Sequence, residues 1–107
     1  MSLETRTRPR HVVLATITVT ATRTTPKALL ATASVTIPSG YSIAGCLFNG
    51  DADLTLAAVA DNPTGAPTHG QTLASGAFDG LLCDSILEGF DLSAAGDTTT
   101  YVRVLLV

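Results

Sequence analysis

The sequence contains few charged and few aromatic residues. Of its 107 residues 14% are charged and 5% are aromatic, with no tryptophan, whereas 46% are apolar. A globular domain usually carries about a quarter of its residues as charged side chains. Because so few charges leave little material for a fully solvated surface, we expect part of this domain to be buried against other subunits. A compact domain with an exterior of threonine and serine is the alternative.

Cysteine and histidine are also scarce. Cys46 and Cys83 lie far apart without a CxxC or a Cys/His spacing, so we expect no metal site and no cofactor. Both lie in apolar segments, which is typical of buried free thiols, and a disulfide between them is the alternative. The N-terminus has no apolar segment of the signal-peptide kind, and no apolar run reaches transmembrane length. We therefore expect no membrane partner.

The charges are distributed unevenly along the chain. Residues 1–27 have a net charge of +4 and residues 28–107 a net charge of −7, which together give the overall −3. We expect Met1–Arg10 to form a flexible arm and residues 11–107 to form a single domain. Such an arm can dock on an acidic protein surface or nucleic acid, or on the acidic body of a neighbouring copy, through three basic side chains: Arg6, Arg8 and Arg10. Three arginines are few for a nucleic-acid arm, so we expect no specific nucleic-acid partner.

Four acidic side chains near the C-terminus are candidates for a complementary docking surface. They are Asp84, Glu88, Asp91 and Asp97. A neighbouring copy's arginine arm would bind such a surface, and ordinary solvation of these carboxylates is the alternative.

Alternation of apolar residues with threonine and serine predicts an all-β fold. His11–Thr22 and the terminal run Thr98–Val107 both alternate with the period of a strand. Leu29–Ile37 also alternates, which favours a strand over the helix that Lys27–Ala31 would suit. Further strands are predicted over Tyr41–Phe48, Leu54–Ala60, Gln71–Ser75 and Leu81–Leu87. A hairpin is predicted at Asn49-Gly50-Asp51, and a connection without a strand is predicted at Glu88–Asp97. The sequence therefore predicts a small single-domain β-sandwich or barrel-like body with an extended N-terminal arm.

No set of residues in the sequence forms a catalytic arrangement. His69 lies in a Pro- and Gly-rich loop, residues 61–70, without a nucleophile and an orienting group that could work with it. Asp51 and Asp53 do not continue into a calcium-binding loop pattern. We therefore predict that the chain is not an enzyme.

The C-terminal third carries a family resemblance. It consists of an apolar strand after glycine (Gly80–Asp84, GLLCD), a short Asp-Leu-Ser segment (Phe90–Ala94, FDLSA) and a Gly-Asp turn that leads into a final strand (Gly96–Val107). These segments resemble the C-terminal half of the lambda-type head decoration proteins of tailed phages, although members of that family usually continue past the final strand. The resemblance implies a β-rich trimer at threefold or quasi-threefold positions of a capsid, with an arm that becomes ordered on the shell.

The functional expectation is therefore a viral structural protein. It would be a decoration or cement protein that binds the outside of a phage head and stabilises capsomer junctions, with the major capsid protein and its own copies as partners. The expected location is the virion, after synthesis in the host cytoplasm. The alternatives are another virion component (tail, neck or head fibre) and a small carbohydrate-binding or adhesive β module that uses loop 61–70.

Overall fold

A computed structural model describes residues 11–107, which form two antiparallel β-sheets packed face to face. This confirms the predicted all-β class. The predicted arm, Met1–Arg10, lies outside the described residues. The elements are β1 (His11–Val19), α1 (Pro26–Thr32), β2 (Ile43–Gly50), β3 (Leu54–Ala58), β4 (Gln71–Leu73), β5 (Asp79–Leu81), β6 (Phe90–Ala94) and β7 (Thr98–Leu106).

The C-terminal strand β7 lies inside the larger sheet, whose strand order is β1-β7-β2-β5. It pairs with β1 over its full length, from His11 opposite Leu106 to Val19 opposite Thr98. Its alternate residues are buried, as the sequence pattern predicts: Thr98, Thr100, Val102, Val104 and Leu106. On the other face Leu105 is half-buried.

The core fills the space between the larger sheet and the smaller sheet, whose order is β4-β3-β6. Phe48 and Cys46 from β2 are fully buried in one cluster with Leu56 and Leu92 from the smaller sheet. Removing a buried ring such as that of Phe48 costs about 3–5 kcal/mol. The two sheets are therefore joined by apolar side chains that alternate along each strand.

The predicted strand at Leu29–Ile37 is wrong, because a helix occupies Pro26–Thr32. Thr25 caps the helix by accepting a hydrogen bond from the Ala28 amide, and Pro26 suits the first helical position. Leu29 and Leu30 are both buried, which adjacent residues of a strand with one exposed face would not be. The helix packs beside β1 and closes that side of the core.

The predicted hairpin at Asn49-Gly50-Asp51 is also wrong. Asn49 and Gly50 are the last residues of β2, and the chain bends after them at residues 51–52. β2 belongs to the larger sheet and β3 to the smaller one, so the chain crosses between sheets there. Residues that favour a turn predict a change of chain direction, but they do not predict whether the two flanking strands pair with each other. The core lies between the sheets, so this crossing places Phe48 and Leu54 on opposite sides of it.

The predicted strand at Leu81–Leu87 is correct only at its first residue. β5 ends at Leu81, Leu82 is exposed, and the next residues form turns that bury Ile86. β6 instead forms inside the segment predicted as a connection. The free edge of β6 is covered by the chain after β1, through backbone hydrogen bonds of Thr20 and Thr24 with Ala94 and Leu92.

Candidate docking face

The outward side of the larger sheet carries exposed apolar side chains among threonines, with few charges. Residues directly opposite each other in neighbouring strands point to the same side of a sheet. The strand register places Leu14, Arg103 and Leu47 in one row, and Thr16, Tyr101 and Asn49 in the next. We define the outer face by its members from β1, β2 and β7: Val12, Leu14, Thr16, Thr18, Leu47, Asn49, Thr99, Tyr101, Arg103 and Leu105.

Large apolar side chains on the outer face are exposed to solvent. Leu14 is 74% exposed, Tyr101 45% and Val12 41%. Arg103 is the one charged side chain among the residues of this face. Exposed apolar side chains that lie together, with few charges among them, mark surfaces that bind other molecules.

Arg103 and Phe78 build the centre of the outer face. The guanidinium carbon of Arg103 lies 3.8 Å from the centroid of the Phe78 ring, a cation–π contact that holds both side chains against the sheet. With Leu14, Thr16 and Tyr101 they line an open groove with a volume of about 400 Å³. Arginine and tyrosine are enriched among the residues that dominate binding energy at protein interfaces.

The outward side of the smaller sheet has a different chemistry. Thr55 lies opposite Thr72 on one side and Ser93 on the other, which makes a polar row. The next row pairs Ala57 with Asp91, and both residues are buried. The smaller sheet is therefore polar where it is exposed and covered where it is not.

Arg23 provides that cover. Its Nε donates to both carboxylate oxygens of Asp91, at 3.0 Å each, and the two side chains are only 13% and 10% exposed. Its terminal nitrogens donate to four backbone carbonyl oxygens at 2.6–3.1 Å, those of Ala58, Asp61, Asn62 and Gly65. We call this arrangement the Arg23 clasp. It fastens the end of β3 and the following loop across the outside of β6.

The candidate acidic docking surface does not form as predicted. Asp91 is buried in the Arg23 clasp, so it is wrong as a member of an exposed surface. Glu88 Oε1 accepts a hydrogen bond from Lys27 Nζ at 2.7 Å, and this bond with the lysine charge lowers the pKa of Glu88. Asp84 and Asp97 are exposed. The arm residues Arg6, Arg8 and Arg10 lie outside the described residues.

Loop 61–70 uses its polar groups to hold its own shape. The Asp61 carboxylate accepts hydrogen bonds from the hydroxyl and amide of Thr68 and from the amide of His69. These bonds lower the pKa of Asp61 to about 2. Asn62 donates across the loop to the carbonyl of Ala66. The His69 Nδ1 atom lies 3.1 Å from the oxygen of the Thr68 hydroxyl, which itself donates its hydrogen to Asp61.

Both cysteines are free thiols. Cys46 is fully buried, and burial raises the pKa of its thiol to about 12. Cys83 is half-buried, with its sulfur 3.0 Å from the Ser85 hydroxyl oxygen. Over residues 11–107, no group of three histidine, cysteine or acidic side chains is arranged to hold a metal ion. Among the same residues no helix is long and apolar enough to cross a membrane.

The sequence patterns did not identify the outer face as a site. On the exposed side of β1, Leu14 lies between Val12 and Thr16, and nothing in this local pattern marks it as part of a binding surface. Tyr101, Arg103 and Phe78 come together with Leu14 only through the pairing of β1, β7 and β2. No protein-family model, curated protein or solved structure matches this chain. The functional argument therefore rests on its residues and its fold.

Proposed function

We propose that this chain is a viral structural protein, a decoration or cement protein that binds the outside of a phage head and stabilises its capsomer junctions. The observation that supports this most is the outer face, on which three large apolar side chains are exposed among threonines and a single charged residue. The C-terminal resemblance to lambda-type decoration proteins supports the same assignment. In this proposal the protein works by binding and carries out no chemical reaction.

The shell contact would be built from two parts. The outer face supplies apolar area, with Tyr101 and Arg103 as its anchoring side chains, and the arm supplies positive charge through Arg6, Arg8 and Arg10. β1 carries Val12 and Leu14 of the outer face and begins at His11, directly after the arm. A surface of the major capsid protein that is apolar and bordered by carboxylates would match both parts.

Self-association and virion location are part of this proposal. The low charge content favours burial between subunits. The number of three copies is supported by the family resemblance alone. The partners are the major capsid protein and other copies of the chain, without specific nucleic acid and without a membrane.

A carbohydrate-binding module is the second candidate, because one observation favours it. Tyr101 and Phe78 present two rings beside the Arg103 guanidinium in the open groove of the outer face. Rings and a guanidinium at the surface of a sheet also suit the stacking and hydrogen bonding of a sugar. Loop 61–70, in contrast, has no aromatic residue.

Co-sedimentation with capsid shells tests the proposal. Expanded shells assembled from the major capsid protein of the same genome, without other decoration proteins, are mixed with the chain and pelleted. Leu14→Asp introduces a charge at the centre of the outer face and should lower shell affinity at least tenfold. Val59→Asp changes a partly exposed apolar residue that follows β3 and lies outside the outer face, and it should bind as the wild type does.

The outcomes separate the candidates. Saturable binding that Leu14→Asp weakens and Val59→Asp does not, with unchanged melting temperatures, supports the decoration function. Absence of binding by the wild-type chain to shells contradicts it. A glycan that raises the melting temperature of wild type but not of Tyr101→Ala would favour the carbohydrate-binding candidate instead.

A further inference from the structure

The edge of the larger sheet at β1 is unusual for a protein that remains monomeric. β1 is nine residues long, and within residues 11–107 it pairs with β7 on one side and with no strand on the other. Its sequence, HVVLATITV, contains no lysine, arginine, acidic residue, proline or glycine. Exposed edge strands are normally protected by charges, prolines, bulges or a covering segment. β1 has none of the first two, and its pairing with β7 is regular over all nine residues.

The other three sheet edges are short or covered. β5 and β4 have three residues each, and β6 is paired along its free side by residues 20–24. β1 is therefore the long strand whose outward backbone donors and acceptors can take up another strand.

We propose that β1 pairs antiparallel with β1 of a second copy, which joins two four-stranded sheets into one sheet of eight strands. The contact is twofold, with Ala15 of each copy near the axis, so Leu14 faces the partner's Thr16 and Val12 faces the partner's Thr18. No like charges oppose each other in this pairing because β1 carries none of the four charged residue types. The two outer faces then form one continuous apolar surface.

The surroundings of the edge leave room for the second strand. A groove with a volume of about 360 Å³ lies between β1 and α1, lined by Thr16, Ile17, Thr18, Leu29, Thr32 and Ala33. In the twofold pairing, Val13 of the second copy faces Ile17 and points to the same side, toward this groove. The groove is therefore positioned to receive an apolar side chain from the added strand.

Charge complementarity identifies a second copy as the occupant. Within one chain the arm joins β1 at His11, opposite Leu106, whereas Asp97 and Asp51 lie at the other end of β7. Antiparallel pairing places the second copy's His11 opposite Val19, which itself pairs with Thr98. The second copy's arm, with Arg6, Arg8 and Arg10, then leaves beside the end that carries Asp97 and Asp51. Each basic arm thus meets the acidic end of its partner.

This inference does not depend on the proposed capsid function, and it gives two copies in place of the three that the resemblance implies. Light scattering on the full chain over a range of concentrations measures the native mass. Thr16→Lys places a charge on the β1 edge, and Thr99→Lys places the same charge on the outer face one strand further in, so it is the matched control. We expect a dimer for wild type and Thr99→Lys, and at least a tenfold weaker dimer for Thr16→Lys, whose melting temperature should equal that of wild type when both are measured at concentrations at which they are monomeric. A monomer at all concentrations, a trimer, or a dimer that Thr16→Lys leaves intact would overturn the inference.

A charge exchange tests the arm contact separately. One protein carries Arg6→Glu, Arg8→Glu and Arg10→Glu, and a second carries Asp51→Lys and Asp97→Lys. Each protein alone brings like charges together in its own dimer, so each should dimerise at least tenfold more weakly than wild type. Mixed in equal amounts they should form a dimer of one copy of each, because every arm then meets an end of opposite charge. Failure of the mixture to dimerise would overturn the exchange of arms between copies.

Discussion

Replacing Arg23 by alanine should destabilise this domain more than any other single change of a charged residue in the part of the chain that the structure describes. The Arg23 clasp joins one guanidinium to a carboxylate and four carbonyl oxygens. With the arginine removed, Asp91 is left as a largely buried charge without its partner, and the four carbonyls lose their donor. Removing one partner of a buried ion pair costs about 3–5 kcal/mol.

That loss is large for a domain of this size, whose total stability is about 5–15 kcal/mol. It corresponds to a decrease in melting temperature of more than about 12 °C. Arg23→Lys keeps the charge but should retain only part of the stability. A lysine ammonium has three donors and lacks the planar arrangement with which the guanidinium donates to the carboxylate and all four carbonyl oxygens. Thermal and urea unfolding of the three proteins measures these differences.

Lys27→Ala is the matched control for the Arg23 substitution. Lys27 also makes an ion pair, with Glu88, but both side chains are about two-thirds exposed, at 66% and 69%. Exposed pairs contribute little, so Lys27→Ala should melt close to wild type. A double-mutant cycle of Arg23→Ala with Asp91→Ala should show strong coupling. If Arg23→Ala unfolds at the same temperature as Lys27→Ala, the clasp does not stabilise the fold and the reasoning is refuted.

Two further predictions concern the fold. A Cβ at Gly80 would overlap the backbone carbonyl oxygen of Cys46, so Gly80→Ala should destabilise by about 1–3 kcal/mol in urea unfolding, whereas Gly96→Ala has open space around the new atom and should be neutral or slightly stabilising. Equal effects of the two substitutions would contradict the close packing of β5 on β2. Asp61 has a pKa lowered from 3.8 to about 2, so its stabilising contribution is complete above pH 4 and is lost as the pH falls through 2. The melting temperature of Asp61→Asn should therefore fall less steeply than that of wild type across this pH range, and parallel curves would count against the role of this carboxylate.

The strands β1 and β7 could be predicted from the sequence because β1 alternates apolar residues with threonine over residues 15–19, and β7 has a β-branched residue at every second position from Thr98 to Val104. Such alternation is the direct consequence of one buried face and one exposed face. The helix at Pro26–Thr32 was missed because the same region contains an alternating run beyond it, at residues 33–37, of which Val35 and Ile37 pack on the core without belonging to a strand. In this segment the N-cap threonine and the proline that follows it were the stronger signals.

The contacts between residues that are far apart in the sequence could not be predicted from local sequence patterns. Arg23 and Asp91 are separated by 68 positions and meet only because residues 20–24 run along β6. The assignment of β2 and β3 to different sheets likewise depends on β7 occupying the place beside β2. The outer face required the pairing register, since neither Leu14 nor Arg103 is distinctive in the sequence alone.

Electron cryomicroscopy of expanded shells incubated with this chain would show whether and through which face the chain binds. We expect density for the chain on the outside of the shell at capsomer junctions. In that density the outer face, with Leu14, Tyr101 and Arg103, should be turned toward the shell, and the Arg23 clasp should face solvent. Bare shells at saturating protein, or a bound chain whose smaller sheet contacts the shell while the outer face stays exposed, would contradict it.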